Sequence, residues 1–467
     1  MAFLECRVCG SKFEMFFQKN ACEKCGGMLE YRYDLERLKT GKFVGRFSFW
    51  RYRHFMPEVK SFISMGEGGT PINKARRLAK NVGLHNLYFK DETRNPTNSF
   101  RDRCAALLVS KAVDLGYNAV ICASNGNLGA SMAAYCAKSG LTCHIVVPKN
   151  VDVGKLAQML IYDAVIVEYG ELVDDSLEKA EEIAEETGWY QGSAELNPLA
   201  IEALKTLAYE VYEQIGVPEW FVVPVGSGGT LYAVWKGFKE IEKTGRINAL
   251  PRMVGVQAEG CSPIVDAYMR NASKPKNGKK PFTHALAILV KNPYYGKFAL
   301  EAVEESKGLA VSVSDKEIFH AEQLVAKLEG IFAEPASAAA YAAVKKLTDQ
   351  RIIDKDEKIV CLITGSGLKA TDILQALTKK KKTASMGLEL STKEKILRIL
   401  SENDTYGYDL WRKIGMTMTR AAIYQHLNQL SGKGLVTHYR KDGKRFFKIT
   451  ERGKKALKAI DDLKLLT

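Results

Sequence analysis

Short apolar runs that alternate with amphipathic helical patterns are the feature that most restricts the fold of this 467-residue chain. Between residues 48 and 378, strand-like runs at 119–122, 144–147, 221–225 and 359–363 consist mainly of Val, Ile and other apolar residues. Strands that are apolar throughout, rather than at every second position, are typical of parallel sheets covered on both faces. The sequence therefore predicts an α/β body.

Composition and hydropathy indicate a globular chain without a membrane span. The chain is 46% hydrophobic and 26% charged, as in soluble globular proteins, and its 467 residues are enough for two or three domains. The longest charge-free run, residues 115–137, contains Asn, Ser and Gly, and its pattern fits a strand, a loop and a helix. No signal peptide is recognised. We therefore expect a cytoplasmic protein with no membrane partner.

Charge is concentrated at the C-terminal end. Residues 379–467 carry 21 Lys and Arg against nine Asp and Glu, which is +12 of the chain's net +14. Four parts are predicted: a cysteine-paired segment at 1–47, the α/β body at 48–378, a basic linker at 379–391, and a helix-rich module at 392–467. A basic appended module is typical of a part that binds a polyanion.

Two cysteine pairs lie near the N-terminus. Cys6-x-x-Cys9 and Cys22-x-x-Cys25 are separated by 12 residues. Two such turns bring four thiolates together, which predicts a tetrahedral structural zinc site, a zinc ribbon, with no open coordination position. A metal-free remnant or a redox pair remains an alternative. The other six cysteines fall singly in apolar segments and are expected to be buried free thiols.

Two loops link an apolar strand to a helix and have the residues of binding loops. The first is glycine-rich, and free backbone N–H groups at a glycine-rich helix start can hold a phosphate. A dinucleotide loop and a purely structural turn are the alternatives for it. The second loop is rich in Asn and Ser. The loops are Gly226-Ser227-Gly228-Gly229-Thr230 and Ser124-Asn125-Gly126-Asn127.

Seven motifs, taken in their order, resemble archaeal-type threonine synthase and the wider tryptophan-synthase-β-like family of pyridoxal phosphate (PLP) enzymes of fold type II. Each short motif is weak alone, but the combination is specific. The resemblance also includes the N-terminal cysteine pairs, and it implies a two-lobed body. The motifs lie at residues 66–71, 90–92, 95–103, 123–127, 255–260, 331–338 and 364–369.

The resemblance assigns roles to particular positions. In the family, a lysine in the motif SFKDR carries PLP as a Schiff base, and the matching residue here is Arg101. A guanidinium stays protonated and is a poor nucleophile, so it cannot replace that amine. By the same resemblance, Asn127 contacts the ring oxygen, residues 124–126 hold the substrate carboxylate, residues 226–230 hold the phosphate, and Thr364 contacts the pyridine nitrogen.

Further departures from the family pattern weaken the expectation of synthase chemistry. Asn98, Asn125 and Leu289 stand where the family has Gly, Thr and Arg. We expect non-covalent binding of PLP or of another phosphorylated or amino-acid-like molecule, with Arg101 able to donate two hydrogen bonds to a carboxylate or phosphate. Lys90 is a candidate substitute amine, although its motif position favours an ion pair with Asp91 or Glu92.

The C-terminal module has the pattern of a winged helix. Helices are predicted at 392–401, 406–414 and about 417–430, then a hairpin with its turn at 441–444 and a closing helix from 451. In the third helix, Ile423, Leu427 and Leu430 face inward. The polar residues facing outward and the basic residues of the hairpin are Arg420, Tyr424, Gln425, Asn428, Lys441, Lys444 and Arg445.

The module resembles PadR- or MarR-like transcription regulators, which implies DNA as a partner. A Gln on the outward helix face can pair with adenine, and cations on the wing can neutralise phosphates. A winged helix used for protein contacts or dimerisation is the alternative. Because winged helices and PLP folds usually pair, we expect a homodimer.

These observations predict a ligand-sensing transcription regulator built on a PLP fold that lacks its lysine. A working threonine synthase or a threonine or serine dehydratase-like lyase is the main alternative. An enzyme that is also a regulator, and a degenerate body without any ligand, are further alternatives. The sequence alone leaves the choice open.

Overall fold

The computed structural model describes residues 2–14, 21–275, 280–370, 392–415 and 418–464. The chain divides into two compact units, Met1–Asp372 and Ile373–Thr467. The predicted linker at 379–391 lies outside the described residues, and the domain boundaries predicted from the sequence stay predictions. Within the described ranges, no helix has the length and hydropathy of a membrane span.

The larger sheet of the first unit has six strands. Five are parallel, as the apolar runs predicted, and the short edge strand Ile72–Lys74 is antiparallel to its neighbour. In spatial order the strands are Leu309–Val313, Arg252–Ala258, Trp220–Pro224, Lys358–Ile363, Asn86–Asp91 and Ile72–Lys74. The helices of this part are Arg76–Val82, Leu199–Leu204, Thr206–Ile215, Gly229–Lys243, Pro263–Met269, Gly296–Glu305, Asp315–Glu329 and Pro335–Asp349, with 3₁₀ turns at Phe49–Phe55, Glu92–Arg94, Leu286–Ile288 and Gly367–Lys369.

The smaller sheet has four parallel strands and forms a second lobe of the same unit. Its strand order is Val165–Glu168, Thr142–Val147, Ala119–Ala123 and Tyr190–Gln191. The helices around it are Arg101–Asp114, Asn127–Ser139, Val153–Ile161 and Val173–Thr187. Two lobes with parallel sheets confirm the predicted fold class.

The N-terminal segment packs directly on the body. It forms the antiparallel strands Ala2–Cys6, Lys12–Phe13 and Leu29–Tyr33, followed by the helix Leu35–Thr40. Two residues of the helix Gly229–Lys243 reach it: Tyr232 donates to Glu30 at 2.7 Å, and Lys236 donates to the Tyr31 carbonyl at 2.6 Å. Buried polar contacts therefore fix this segment on the helix that follows the glycine-rich loop.

The second unit has the predicted winged-helix elements. Its helices cover 392–402, Gly407–Lys413, Arg420–Gly432 and Glu451–Lys464, and its sheet has the order Thr405–Tyr406, Lys444–Ile449, Val436–Lys441. Ile423, Leu427 and Leu430 are buried, as predicted. The hairpin turn places Asp442 at φ +50° and Gly443 at φ +71°. Two left-handed residues give the turn the twist of its strands.

Candidate functional site

A cleft lies where strands of both parallel sheets end. Residues that directly follow the strands Ala119–Ala123, Trp220–Pro224 and Lys358–Ile363 line it, and it encloses about 730 Å³ including its open mouth. The carboxyl edges of parallel strands are the usual place for a ligand in α/β folds. The predicted site residues that line the cleft are Arg101, Ser124, Asn125, Asn127, Gly226, Ser227, Gly228, Thr230 and Thr364. Gly126 and Gly229 belong to the same two loops but do not line the cleft.

The glycine-rich loop has the geometry of an anion cradle. It leads into the 15-residue helix Gly229–Lys243. No carbonyl of a described residue accepts a hydrogen bond from the backbone N–H groups of residues 226–231. Gly228 has φ +95°, and a Cβ there would lie 2.8 Å from the Tyr295 carbonyl oxygen. Free N–H groups at the positive end of a helix dipole suit a phosphate or carboxylate.

The opposite wall is the loop that precedes the helix Asn127–Ser139. Its side chains bond across the cleft: Asn125 donates to the Leu286 carbonyl at 2.8 Å, and Asn127 donates to both Glu334 carboxylate oxygens at 2.9 and 3.0 Å. Lys155, almost fully buried, lies 3.1 Å from the same Glu334 carboxylate. Polar contacts therefore join the two lobes at the place where a ligand would bind.

Thr364 lies at the end of the strand Lys358–Ile363. Its hydroxyl is 2.7 Å from the Ser337 hydroxyl, and its carbonyl accepts a hydrogen bond from Phe100 N–H at 2.9 Å. The segment after Thr364 is bound to the loop that carries Arg101. Ser366 N–H donates to the Asn98 carbonyl at 3.0 Å, and Lys369 donates to the Thr97 carbonyl at 2.8 Å.

Arg101 is the first residue of the helix Arg101–Asp114 and is partly exposed in the cleft. Its guanidinium lies 4.8 Å from the centre of the Phe100 ring and near the Cys104 thiol. Burial raises the pKa of that thiol to about 11, although the Arg101 charge opposes the shift. No carboxylate of a residue in the described ranges pairs with Arg101.

Lys90 lies in a buried ionic cluster and not on the wall of the cleft. Its ammonium bonds Glu210 at 2.6 Å and the Thr70 carbonyl at 2.7 Å. The expected ion pair with Asp91 or Glu92 is wrong, because Arg94 pairs with Asp91 and Arg103 pairs with Glu92. Burial lowers the pKa of Lys90, although Glu210 opposes that shift.

The backbone conformation at position 98 explains why Asn can stand where the resembled motif has glycine. Its φ is +62°, in the left-handed region where the resembled motif has glycine. Asn is among the few residues that adopt this conformation readily, and its side-chain amide donates to the Thr93 carbonyl at 3.1 Å. The turn before Arg101 therefore keeps the conformation that glycine would allow.

Two charged residues of the cleft were not predicted. Glu334 belongs to a motif that the resemblance used, but no role was assigned to it. Glu195 lies between the strand Tyr190–Gln191 and the helix Leu199–Leu204, and it is outside every motif. Only its place in the fold brings it to the cleft, so no local pattern could have identified it.

The residues of the cleft fit the phosphate of PLP but not its covalent attachment. The free N–H groups of residues 226–231 suit the phosphate, and the buried Oδ1 of Asn127 has no donor within the part of the chain that is described. Among the residues that the structure describes, no lysine lines the cleft.

The four N-terminal cysteines meet as predicted. Their Sγ atoms all lie within 4.8 Å of one another, with Cys6–Cys25 at 3.5 Å and Cys9–Cys22 at 3.6 Å. A tetrahedral zinc with bonds of about 2.3 Å needs thiolates about 3.8 Å apart. The donor set and spacing therefore fit zinc.

In the second unit, the polar residues predicted to face outward are all exposed. Arg420 lies 5.3 Å from the ring centres of both Tyr408 and Trp411. Tyr424 is only partly free, because its ring covers Gly407 and contacts Phe447 edge-on. Gln425 and Asn428 lie on the same exposed face of the helix.

The wing of the second unit carries three exposed cations, Lys441, Lys444 and Arg445. Lys444 lies 4.8 Å from the Tyr406 ring centre, and Arg445 is 3.2 Å from the His438 ring nitrogen. Aromatic contacts thus orient the two cations while leaving them accessible.

Comparison with known proteins identifies both units. Residues 63–365 match the family described as "Pyridoxal-phosphate dependent enzyme", and residues 396–459 match the "Transcriptional regulator PadR-like family". Threonine synthase of Methanocaldococcus jannaschii is 40% identical over 405 residues, covering 85% of this chain and 99% of that protein. Threonine synthase of Methanosarcina acetivorans is 39% identical, covering 79% of this chain and 92% of that protein.

Solved structures agree on the fold of the body. Maize serine racemase superposes with a TM-score of 0.56 at 20% identity, covering 68% of this chain and 93% of that chain. The chain therefore belongs to the family of pyridoxal-phosphate dependent enzymes, as a homologue of threonine synthases that ends in a PadR-like winged helix.

Proposed function

We propose that this chain is a ligand-responsive, DNA-binding transcription regulator whose sensor is a PLP-fold body without the covalent PLP anchor. One observation carries the proposal: Arg101 lines the cleft, and no lysine of the described residues does so. The motif resemblance matches Arg101 to the family lysine that carries PLP. A guanidinium is protonated at every working pH and cannot form the bond. The body therefore keeps a binding cleft and loses the group that starts catalysis.

The cleft would hold its ligand through its two loops and the residues beside them. The N–H groups of residues 226–231 would bind a phosphate, Asn127 and Thr364 would contact the PLP ring, and residues 124–126 would bind a carboxylate. Arg101 would bind the same carboxylate through two hydrogen bonds. When bound, PLP would supply an aldehyde and an electron-withdrawing ring.

Ligand binding would alter the contacts between the two lobes of the body. A ligand that recruits Asn125 or Asn127 competes with their bonds to Leu286 and Glu334 across the cleft. The cleft wall at Thr364 leads, within six residues, to Ala370 and the described end of the body. Ligand-dependent movement of the two lobes would therefore displace the described C-terminal residues of the body.

The winged helix would bind DNA with its exposed polar helix face and its basic wing. Arg420, Gln425 and Asn428 would enter the major groove, with Tyr424 at its edge, while Lys441, Lys444 and Arg445 would contact phosphates. We further propose a homodimer, because paired winged helices read two half-sites; its mass in sedimentation should be twice that of the chain.

Selection of bound sequences from a random DNA pool by the full-length protein tests the proposal. The selected DNA should bind tightly, and PLP, alone or with an amino acid, should change its affinity by fivefold or more, a typical range for coupled sites. Sequence-specific binding that no such ligand alters would remove the sensing role.

Removal of two wing cations should weaken DNA binding through phosphate contacts. The double variant Lys444→Ala/Arg445→Ala is expected to reduce the slope of log affinity against log salt by about two, because each lost phosphate contact removes about one. Fluorescence anisotropy across a salt series measures the slope. Lys80→Ala, which removes an exposed charge from the first unit, should leave this slope unchanged. An unaltered slope in the double variant would exclude phosphate contacts by the wing.

A working threonine synthase-like or dehydratase-like lyase is the second candidate. The 40% identity to a threonine synthase favours it. This candidate needs an amine to replace that of the family lysine, and Lys90 is held by Glu210 away from the cleft. Turnover of phosphohomoserine, threonine or serine by the purified protein with PLP would support the enzyme over the regulator.

The four N-terminal cysteines would bind one structural zinc ion. Cys22→Ser is expected to reduce zinc from about one ion per chain to none, because three thiolates leave the tetrahedral site incomplete. The segment packs on Tyr232 and Lys236, so its melting should also expose that surface and lower the unfolding temperature. Atomic absorption and calorimetry measure both effects, with the buried Cys361→Ser as a control that keeps the zinc.

A further inference from the structure

The cleft contains one carboxylate without a cationic partner. Glu195 is partly buried, lines the same cleft as Arg101, and accepts a hydrogen bond from the Ser227 hydroxyl at 3.1 Å. No Lys, Arg or His of the described ranges lies within ion-pair distance of it. The carboxylate is therefore bound to the glycine-rich loop itself.

Several buried acids elsewhere in the body are paired with cations. Glu210 binds Arg103 and Lys90, Glu202 binds Lys205 and Lys236, and Glu334 binds Lys155. Each of these pairs meets the need of a poorly solvated charge for a partner. Among the described residues, Glu195 and Arg101 lack such partners, and both line one cleft.

The two unpaired charges line the same cleft: Arg101 begins the helix Arg101–Asp114, and Glu195 accepts a hydrogen bond from Ser227 of the glycine-rich loop. Yet they do not form an ion pair in the structure, so each remains available to a bound molecule. A cleft with a separate cation and anion complements a ligand that carries both charges.

We propose that Glu195 determines the class of ligand: an amino-acid-like molecule whose side chain ends in an ammonium group and not in a phosphate ester. The assignment rests on the proposed sensing function. The ligand carboxylate binds Arg101, and the ammonium binds Glu195 beside Ser227. The N–H groups of residues 226–231 accommodate one phosphate, as PLP would supply. A second phosphate next to them would face the Glu195 carboxylate and be repelled.

Calorimetric titration of the full-length, PLP-supplemented protein tests this assignment with three probes. L-Lysine and L-norleucine have the same carbon chain and differ by the terminal ammonium, and O-phospho-L-serine carries a phosphate ester. Wild type should bind lysine at least about tenfold more tightly than norleucine. The lysine ammonium donates a charge-assisted hydrogen bond to Glu195, and the norleucine methyl group cannot donate one. Phosphoserine should bind more weakly than lysine.

The Glu195 variants separate charge from packing. Glu195→Gln keeps the shape of the side chain and should abolish the preference for lysine over norleucine. Glu195→Asp keeps the charge and should still bind lysine more tightly than norleucine. Glu185→Gln, at an exposed position on the helix Val173–Thr187, should behave as wild type. Equal binding of lysine and norleucine by wild type, no binding of any probe, or an unchanged preference in Glu195→Gln would overturn the assignment.

DNA affinity measured in the same samples separates this inference from the proposed function. Lysine binding that depends on Glu195 but leaves DNA affinity unchanged would keep the ligand class and remove the regulator. DNA affinity that responds to PLP while Glu195→Gln binds all probes as wild type does would keep the regulator and remove the ligand class.

Discussion

Replacing Arg103 with methionine is expected to lower the free energy of unfolding of the first unit by roughly 3–5 kcal/mol, the range for breaking a buried ion pair. Arg103 is fully buried two residues after Arg101. Its guanidinium binds Glu92 at 2.8 Å and Glu210 at 2.6 Å, so both carboxylates lose a partner in the variant. Burying an unpaired carboxylate is costly, whereas methionine fills most of the volume.

The cluster around Arg103 joins distant parts of the body. Glu92 follows the strand Asn86–Asp91, Glu210 lies on the helix Thr206–Ile215, and Glu210 also accepts from Gly69 N–H at 2.8 Å. Urea unfolding followed by circular dichroism measures the loss. Arg101→Met makes the same change at an unpaired, partly exposed position and should cost less than about 1 kcal/mol. Equal losses in the two variants would refute a special role for the cluster.

The cluster also predicts how stability depends on pH. Burial alone would raise the pKa of Glu210, but the charges of Arg103 and Lys90 lower it to about 2. A carboxylate whose pKa is lower in the folded state stabilises the fold above its unfolded pKa, and the contribution disappears as pH falls from about 4.3 towards 2. The free energy of unfolding of wild type should fall over that pH interval. It should fall less in Arg103→Met, because Glu210 has already lost part of its stabilising interaction in that variant.

The strands, the hairpin turn and the cysteine cluster were predictable because residues close together in the sequence determine each of them. The apolar runs at 119–122 and 221–225 became buried parallel strands, since only a sheet covered on both faces suits them. The Lys-Asp-Gly-Lys turn formed the wing because Asp and Gly tolerate positive φ. The spacing of the cysteine pairs likewise sufficed to bring four thiolates together.

Contacts between distant segments were not predictable in the same way. Lys90 was expected to pair with a neighbour in its motif, but its partner Glu210 is 120 residues away. Glu195 reaches the cleft only because the two lobes place its loop against Ser227. Such pairs depend on how helices and sheets pack, and a hydrophobic pattern specifies the buried faces without specifying which charges meet across them.

Arg101→Lys is expected to convert the cleft from non-covalent to covalent PLP binding. After incubation with PLP and reduction with borohydride, wild type should yield no PLP-labelled peptide, and the variant should yield one peptide labelled at position 101. The position is suitable because it begins the helix Arg101–Asp114 at the cleft, and no carboxylate within the described ranges pairs with it. A lysine amine can lose its proton and attack an aldehyde, which a guanidinium cannot do.

Arg101→Met separates the effect of a new amine from that of a lost cation. This variant also lacks the guanidinium, but it should yield no labelled peptide, so labelling in Arg101→Lys alone would show that the amine is the missing group. Labelling of wild type at another lysine would contradict the reasoning, because a second amine would then reach the cleft. Since we propose that residues 226–231 hold the phosphate and that Thr364 contacts the ring, one substitution should suffice to restore the covalent link.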